Sequence, residues 1–97
     1  MISTIIKECK KYNYEFEYAI KDCLHFKNKN VREELQVFHV LVDENLERVT
    51  MAIIMDLGSW NEATEHDYND IEDIKEGIDS WLSKENLEEA EKWLEEE

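Results

Sequence analysis

The chain has 97 residues, 42% of them hydrophobic, and its 25 acids outweigh 11 bases to leave a formal charge of −14. That length makes one domain, 1–97, burying roughly 65% of its unfolded surface, and excludes a two-domain enzyme with an interdomain cleft. The apolar content excludes a disordered acidic tail, and the acidic balance excludes direct binding to nucleic-acid phosphates or anionic membranes, which need a basic surface.

Residues 2–12 carry Ile2, Ile5, Ile6, Cys9 and Tyr12 at the spacing of a short amphipathic helix, with Ser3 as its cap and Lys7, Lys10 and Lys11 outward. Over 14–26 the period changes to two. Tyr14, Phe16, Tyr18, Ile20, Leu24 and Phe26 alternate with mostly polar neighbours, which predicts one strand. A polar turn at 27–30 follows, then strands over 35–42 and 49–57 joined by a turn at 43–46. Gly58 ends the sheet. Thr64-Glu-His-Asp67 has capping-box spacing, and Ser59, three residues before Glu62, offers another helix start. Tyr68, Ile71, Ile74, Ile78, Trp81 and Leu82 then mark an amphipathic helix, in which Gly77 signals a kink or a close approach to the sheet. After a break at 83–86, Leu87, Ala90, Trp93 and Leu94 predict a last short helix.

The expected architecture is therefore α+β, in the order α-β-β-β-α-α, with a three-stranded antiparallel meander covered on one face by helices. Residues 1–60 form the helix and sheet, and 61–97 the acidic helices. No apolar run approaches the roughly 18 residues of a membrane span, and the amino terminus lacks the order of a signal peptide. Cys9 and Cys23 read as reduced thiols of a cytoplasmic protein, the alternative being a disulfide between them.

Charge is unevenly distributed. Residues 1–60 hold ten acids and eight bases, whereas 61–97 hold fifteen acids and three bases. On a helical wheel through 62–82, Glu62, Glu65, Asp70, Glu72, Asp73, Glu76 and Asp79 fall opposite the apolar stripe. At about 1.5 Å per residue this is one carboxylate per about 4 Å, close to the roughly 3.4 Å phosphate spacing of a DNA strand. A plain solvated face would mix Glu with Lys at i, i+4, and this one does not. The carboxylates are thus candidate partner-binding residues, and Trp60, just ahead of them, is a candidate contact. Trp81 and Trp93 read as core or cap residues under the helices.

Other chemistry finds little support. Cys23, His25, Cys9 and His39 lack the spacing of a zinc knuckle, and a Cys23–His39 dyad has no supporting motif. Asp67-Tyr-Asn-Asp-Ile-Glu-Asp73 has no glycine at the sixth position of a calcium loop. No catalytic residue, metal or cofactor is expected.

The opening I-x-x-I-I-K-E-x-K (Ile2 to Lys10), Tyr14 at a strand start, and Trp60-Asn61 leading to Tyr68-Asn69-Asp70 resemble small phage-borne anti-CRISPR proteins that mimic DNA. The spacing between the last two motifs and the longer acidic tail depart from that family's pattern. The resemblance implies carboxylates laid into the basic channel of an RNA-guided nuclease, with Glu62, Glu65 and Asp70 at the matching positions. The expected function is a non-enzymatic inhibitor of a nuclease or other nucleic-acid-binding protein, in the cytoplasm of a bacterial host. The alternative is an immunity protein or antitoxin that neutralises a basic toxin.

Overall fold

The computed structural model describes residues 1–54 and 63–96. Its order is α1 (Ile2–Lys11), β1 (Glu15–Ile20), β2 (Cys23–Lys27), a 3-10 turn (Glu33–Leu35), β3 (Val37–Asp43), β4 (Arg48–Ile53), β5 (Thr64–Asp67), α2 (Ile71–Leu82) and α3 (Lys84–Glu95). The α+β class holds, but among the described residues the sheet has five strands, in the antiparallel order β1-β2-β3-β4-β5. Among the described residues no helix is long and apolar enough to cross a membrane.

The first correction is the single strand expected over 14–26, which is a hairpin. Lys21 and Asp22 form its two-residue loop, with Lys21 at φ 54°, and Ile20 pairs with Cys23. This loop inverts parity: even-numbered residues of β1 and odd-numbered residues of β2 share a face. Leu24 and Phe26 therefore turn to the core, while Tyr18 and Ile20 stand 47% and 64% exposed on the other side. A bulge at Glu17 shifts the register again, so that Phe16 lies edge-on to Phe26 at 5.7 Å.

The core face is read across the strands. Leu24 pairs with Val40 and Val40 with Met51; Phe26 pairs with Phe38 and Phe38 with Ile53; Val42 pairs with Val49. On these rows pack Ile5 and Cys9 of α1, and Ile74, Ile78 and Leu82 of α2, forming one buried cluster. Tyr14, fully buried ahead of β1, donates its hydroxyl to the Leu35 carbonyl at 2.6 Å. The single-face covering by helices follows from this pattern. The strand expected over 35–42 begins two residues later because Leu35 closes the 3-10 turn. The strand expected over 49–57 is described as β4 to Ile53; residues 55–57, Gly58 and Ser59 lie outside the described residues.

The second correction concerns 64–67. Thr64 does not cap a helix; it opens β5, which pairs with β4 through Arg48–Asp67, Val49–His66, Thr50–Glu65 and Met51–Thr64. Alternation of a four-residue polar segment carries no apolar signal, so helical periodicity from Ile71 onward spreads too readily across it. Asp70 is the true N-cap of α2, its carboxylate accepting from the backbone N–H of Glu72 and Asp73 at 3.1 and 3.2 Å. Ser83 ends α2 and caps α3, accepting from Asn86 N–H at 3.3 Å, so the last helix starts earlier than its apolar stripe. In α1 the N-cap is Met1, and Ser3 lies inside the helix.

Candidate acidic surface

A hydrogen-bonded chain fixes α2 against β5. The Trp81 indole can only donate, so Thr64 Oγ1 accepts from Nε1 at 2.7 Å, and the same hydroxyl is hydrogen-bonded to His66 Nε2 at 2.8 Å. On the other side of the ring, His66 Nδ1 lies 3.4 Å from Asp73 Oδ1. The other carboxylate oxygen of Asp73 accepts from the Asp67 backbone N–H at 3.0 Å. This backbone bond, with His66 second, holds the Asp73 carboxyl below the usual range. Gly77 lies directly over the His66 ring, the close approach that its place in the sequence signals.

The carboxylates expected on one helical face are thus divided. Asp70 is engaged in capping and Asp73 in bracing β5. Asp79 accepts from the Tyr12 hydroxyl at 2.5 Å, tying α2 to α1 and raising the phenol to about 12. Glu65 pairs with Thr50 on the face of the sheet away from the helices, 3.3 Å from Arg48. Trp60 and Glu62 lie outside the described residues.

What remains on the solvent side of α2 is Glu72 and Glu76, one turn apart, exposed, and without a hydrogen-bond or ion-pair partner among the described residues. Glu72 gains locally from the positive end of the helix dipole, whereas Glu76 is beyond its reach. The acidic surface extends onto α3, whose Glu85, Glu88, Glu89 and Glu95 are exposed, as is Glu96 at its end. Lys84 reaches Glu88 at 3.9 Å across an exposed i, i+4 pair. The wheel through 62–82 could not include these residues; the charge count of 61–97 is the signal that points to them.

Trp93 departs from its expected place. It is 55% exposed on α3, a helix with no fully buried side chain, while Trp81 is half-buried. Leu87, Ala90 and Leu94 make that helix's contact with the core.

The second face of the sheet carries an arrangement that sequence reading missed. His25 and His39 are cross-strand partners, and Nδ1 of His25 lies 2.8 Å from Nε2 of His39. Glu17, at the bulge, reaches His25 Nε2 at 3.3 Å, and the Tyr18 ring stacks on the imidazole at 4.4 Å. Only strand pairing places these groups together, since Glu17 and His39 are far apart in sequence. Cys9 is buried in the core and Cys23 half-buried on the second face, both as free thiols. Among the described residues, no three His, Cys, Asp or Glu side chains are grouped as a metal site. No known protein family, curated protein or solved structure matches the chain.

Proposed function

We propose that this chain is a non-enzymatic inhibitor that mimics DNA and occupies the basic nucleic-acid-binding site of a nuclease or other DNA-binding protein in a bacterial cytoplasm. The observation that carries the reading is the exposed, poorly neutralised acid of α2 and α3. Glu72 and Glu76 have no cationic partner among the described residues, and only Lys75, Lys84 and Lys92 lie in the last 37 residues. Like charges along a helix cost stability, and a field of one sign steers association with a basic cleft. With Asp70 capping α2 and Glu65 on the far face, Glu72 and Glu76 take the leading role in this reading. An RNA-guided nuclease is the specific target that the anti-CRISPR resemblance suggests.

The test is capture of the partner from host lysate on the immobilised chain, with elution by duplex DNA compared against elution by salt. A nuclease or DNA-binding protein released by DNA, and not retained by the Glu72→Lys/Glu76→Lys variant, supports site competition. A partner that duplex DNA does not displace refutes it. The second reading, an immunity protein or antitoxin, is favoured by exposed Trp93, because indole contacts serve protein recognition more than phosphate mimicry.

A further inference from the structure

Between α2, α3 and the end of the sheet lies a cleft of about 300 Å³. Leu35, Ile53, Trp81, Ala90 and Trp93 give its apolar lining. Asn86 donates to the Trp81 carbonyl at 2.6 Å and Thr64 accepts from its indole nitrogen, so Trp81 is held at both backbone and ring. Trp93 presents more than half its surface to solvent. Glu89 is among the lining residues, and exposed Glu85 precedes it by one turn of α3.

We infer that this cleft is a docking site for a short basic amphipathic segment of another protein. One large apolar side chain would enter beside the two indoles, with Lys or Arg flanking it and meeting Glu89 and Glu85. Three observations select this occupant. The volume, at the lower limit of small-molecule pockets, accommodates one or two side chains. The lining is apolar with a rigid aromatic wall, the setting in which a single anchor residue contributes most to binding. The rim and surrounding helix are acidic, so an apolar segment flanked by acids would be repelled and one flanked by bases attracted. A second copy of this chain is disfavoured on the same ground, because it would bring another net charge of −14. The cleft shares Glu89 with the acidic surface of α3 but does not include Glu72 or Glu76, and its apolar anchor sets it apart from phosphate mimicry.

The experiment selects a random peptide display library on the immobilised full chain. The expected result is enrichment of peptides with a large apolar residue flanked by two or more Lys or Arg. Trp93→Ala and Glu89→Lys should each weaken the selected peptides by about tenfold or more, the loss of one anchor contact. Ala90→Arg, which fills the cleft, should abolish binding. Circular dichroism verifies each fold, and Trp93→Ala, at an exposed position, decides the matter if Ala90→Arg unfolds. Glu72→Lys/Glu76→Lys should leave peptide affinity within about twofold, which separates this site from the proposed DNA-mimic surface. The inference is overturned if nothing is enriched, if the selected peptides are basic without an apolar residue, or if they bind Trp93→Ala as tightly as the unaltered chain.

Discussion

The imidazole of His66 fills the space left by the missing side chain of Gly77. A Cβ built at Gly77 would stand 2.5 Å from both Cε1 and Nε2 of that ring. Elsewhere in a helix, Gly→Ala gains up to about 1 kcal/mol from propensity. Here the ring is held by Thr64 and Asp73, so it cannot move without breaking the chain that joins β5 to α2. Gly77→Ala is therefore expected to destabilise by about 1–3 kcal/mol, as overpacking does. Urea unfolding checks this, and a midpoint raised by the substitution would refute the contact.

Acid should weaken the protein in two separate ranges. Burial, and then the neighbouring His25, hold His39 below its ordinary 6.5, so the native state favours its neutral form. A depressed folded value means that the contribution is complete above 6.5 and is lost as pH falls through the lower folded value. Asp73, also depressed but from 3.8, holds its contribution until the pH is far lower. Melting temperature should thus decline on the acid side of neutrality, and His39→Gln should flatten that decline. Thermal melts at a series of pH values for the two proteins provide the check; an unchanged slope in His39→Gln would assign the decline elsewhere.

The acidic residues of α2 should separate by role. Asp70→Ala removes an N-cap and should cost about 0.5–2 kcal/mol of stability. Glu72→Gln/Glu76→Gln removes two exposed charges with no partner among the described residues. It should leave stability within about 0.5 kcal/mol while weakening any salt-dependent partner. Denaturant titration alongside binding at two salt concentrations measures both. Equal stability losses in the two variants would contradict this division.

Tyr14→Phe should cost about 1–3 kcal/mol, since it deletes the hydroxyl that satisfies the Leu35 carbonyl at a fully buried position. The ring would still pack edge-on against Phe38 at 6.2 Å, so the fold should persist. A lowered unfolding midpoint with native circular dichroism is the expected outcome. An unchanged midpoint would show that the bond adds nothing net.

Local periodicity made α1, β3, β4 and the apolar stripe of α2 legible, because each presents one continuous pattern. It failed where two elements share a pattern. A two-residue loop preserves the alternation of Tyr14 through Phe26 while inverting its meaning, so Tyr18 and Leu24 look equivalent in sequence and face opposite ways. In β5, Thr64 to Asp67 carries no apolar residue and is set in place by pairing with Arg48 to Met51, a long-range fact. The same pairing sends Glu65 away from α2. The acidic excess itself was legible as a charge count, but not the commitments of Asp70, Asp73 and Asp79 to their neighbours.

The bulge at Glu17 has a bearing on solubility. It falls within β1, an edge strand, whose six residues are all exposed and include Phe16, Tyr18 and Ile20. A regular edge of that composition would template the addition of another chain's strand, the first step towards aggregation. An incoming strand would instead meet a ladder whose spacing changes at Glu17, with a carboxylate at the fault. Regular backbone persists there only for two residues on one side and three on the other. The irregularity that spoils the alternation of the hairpin thus helps to end the sheet at five strands.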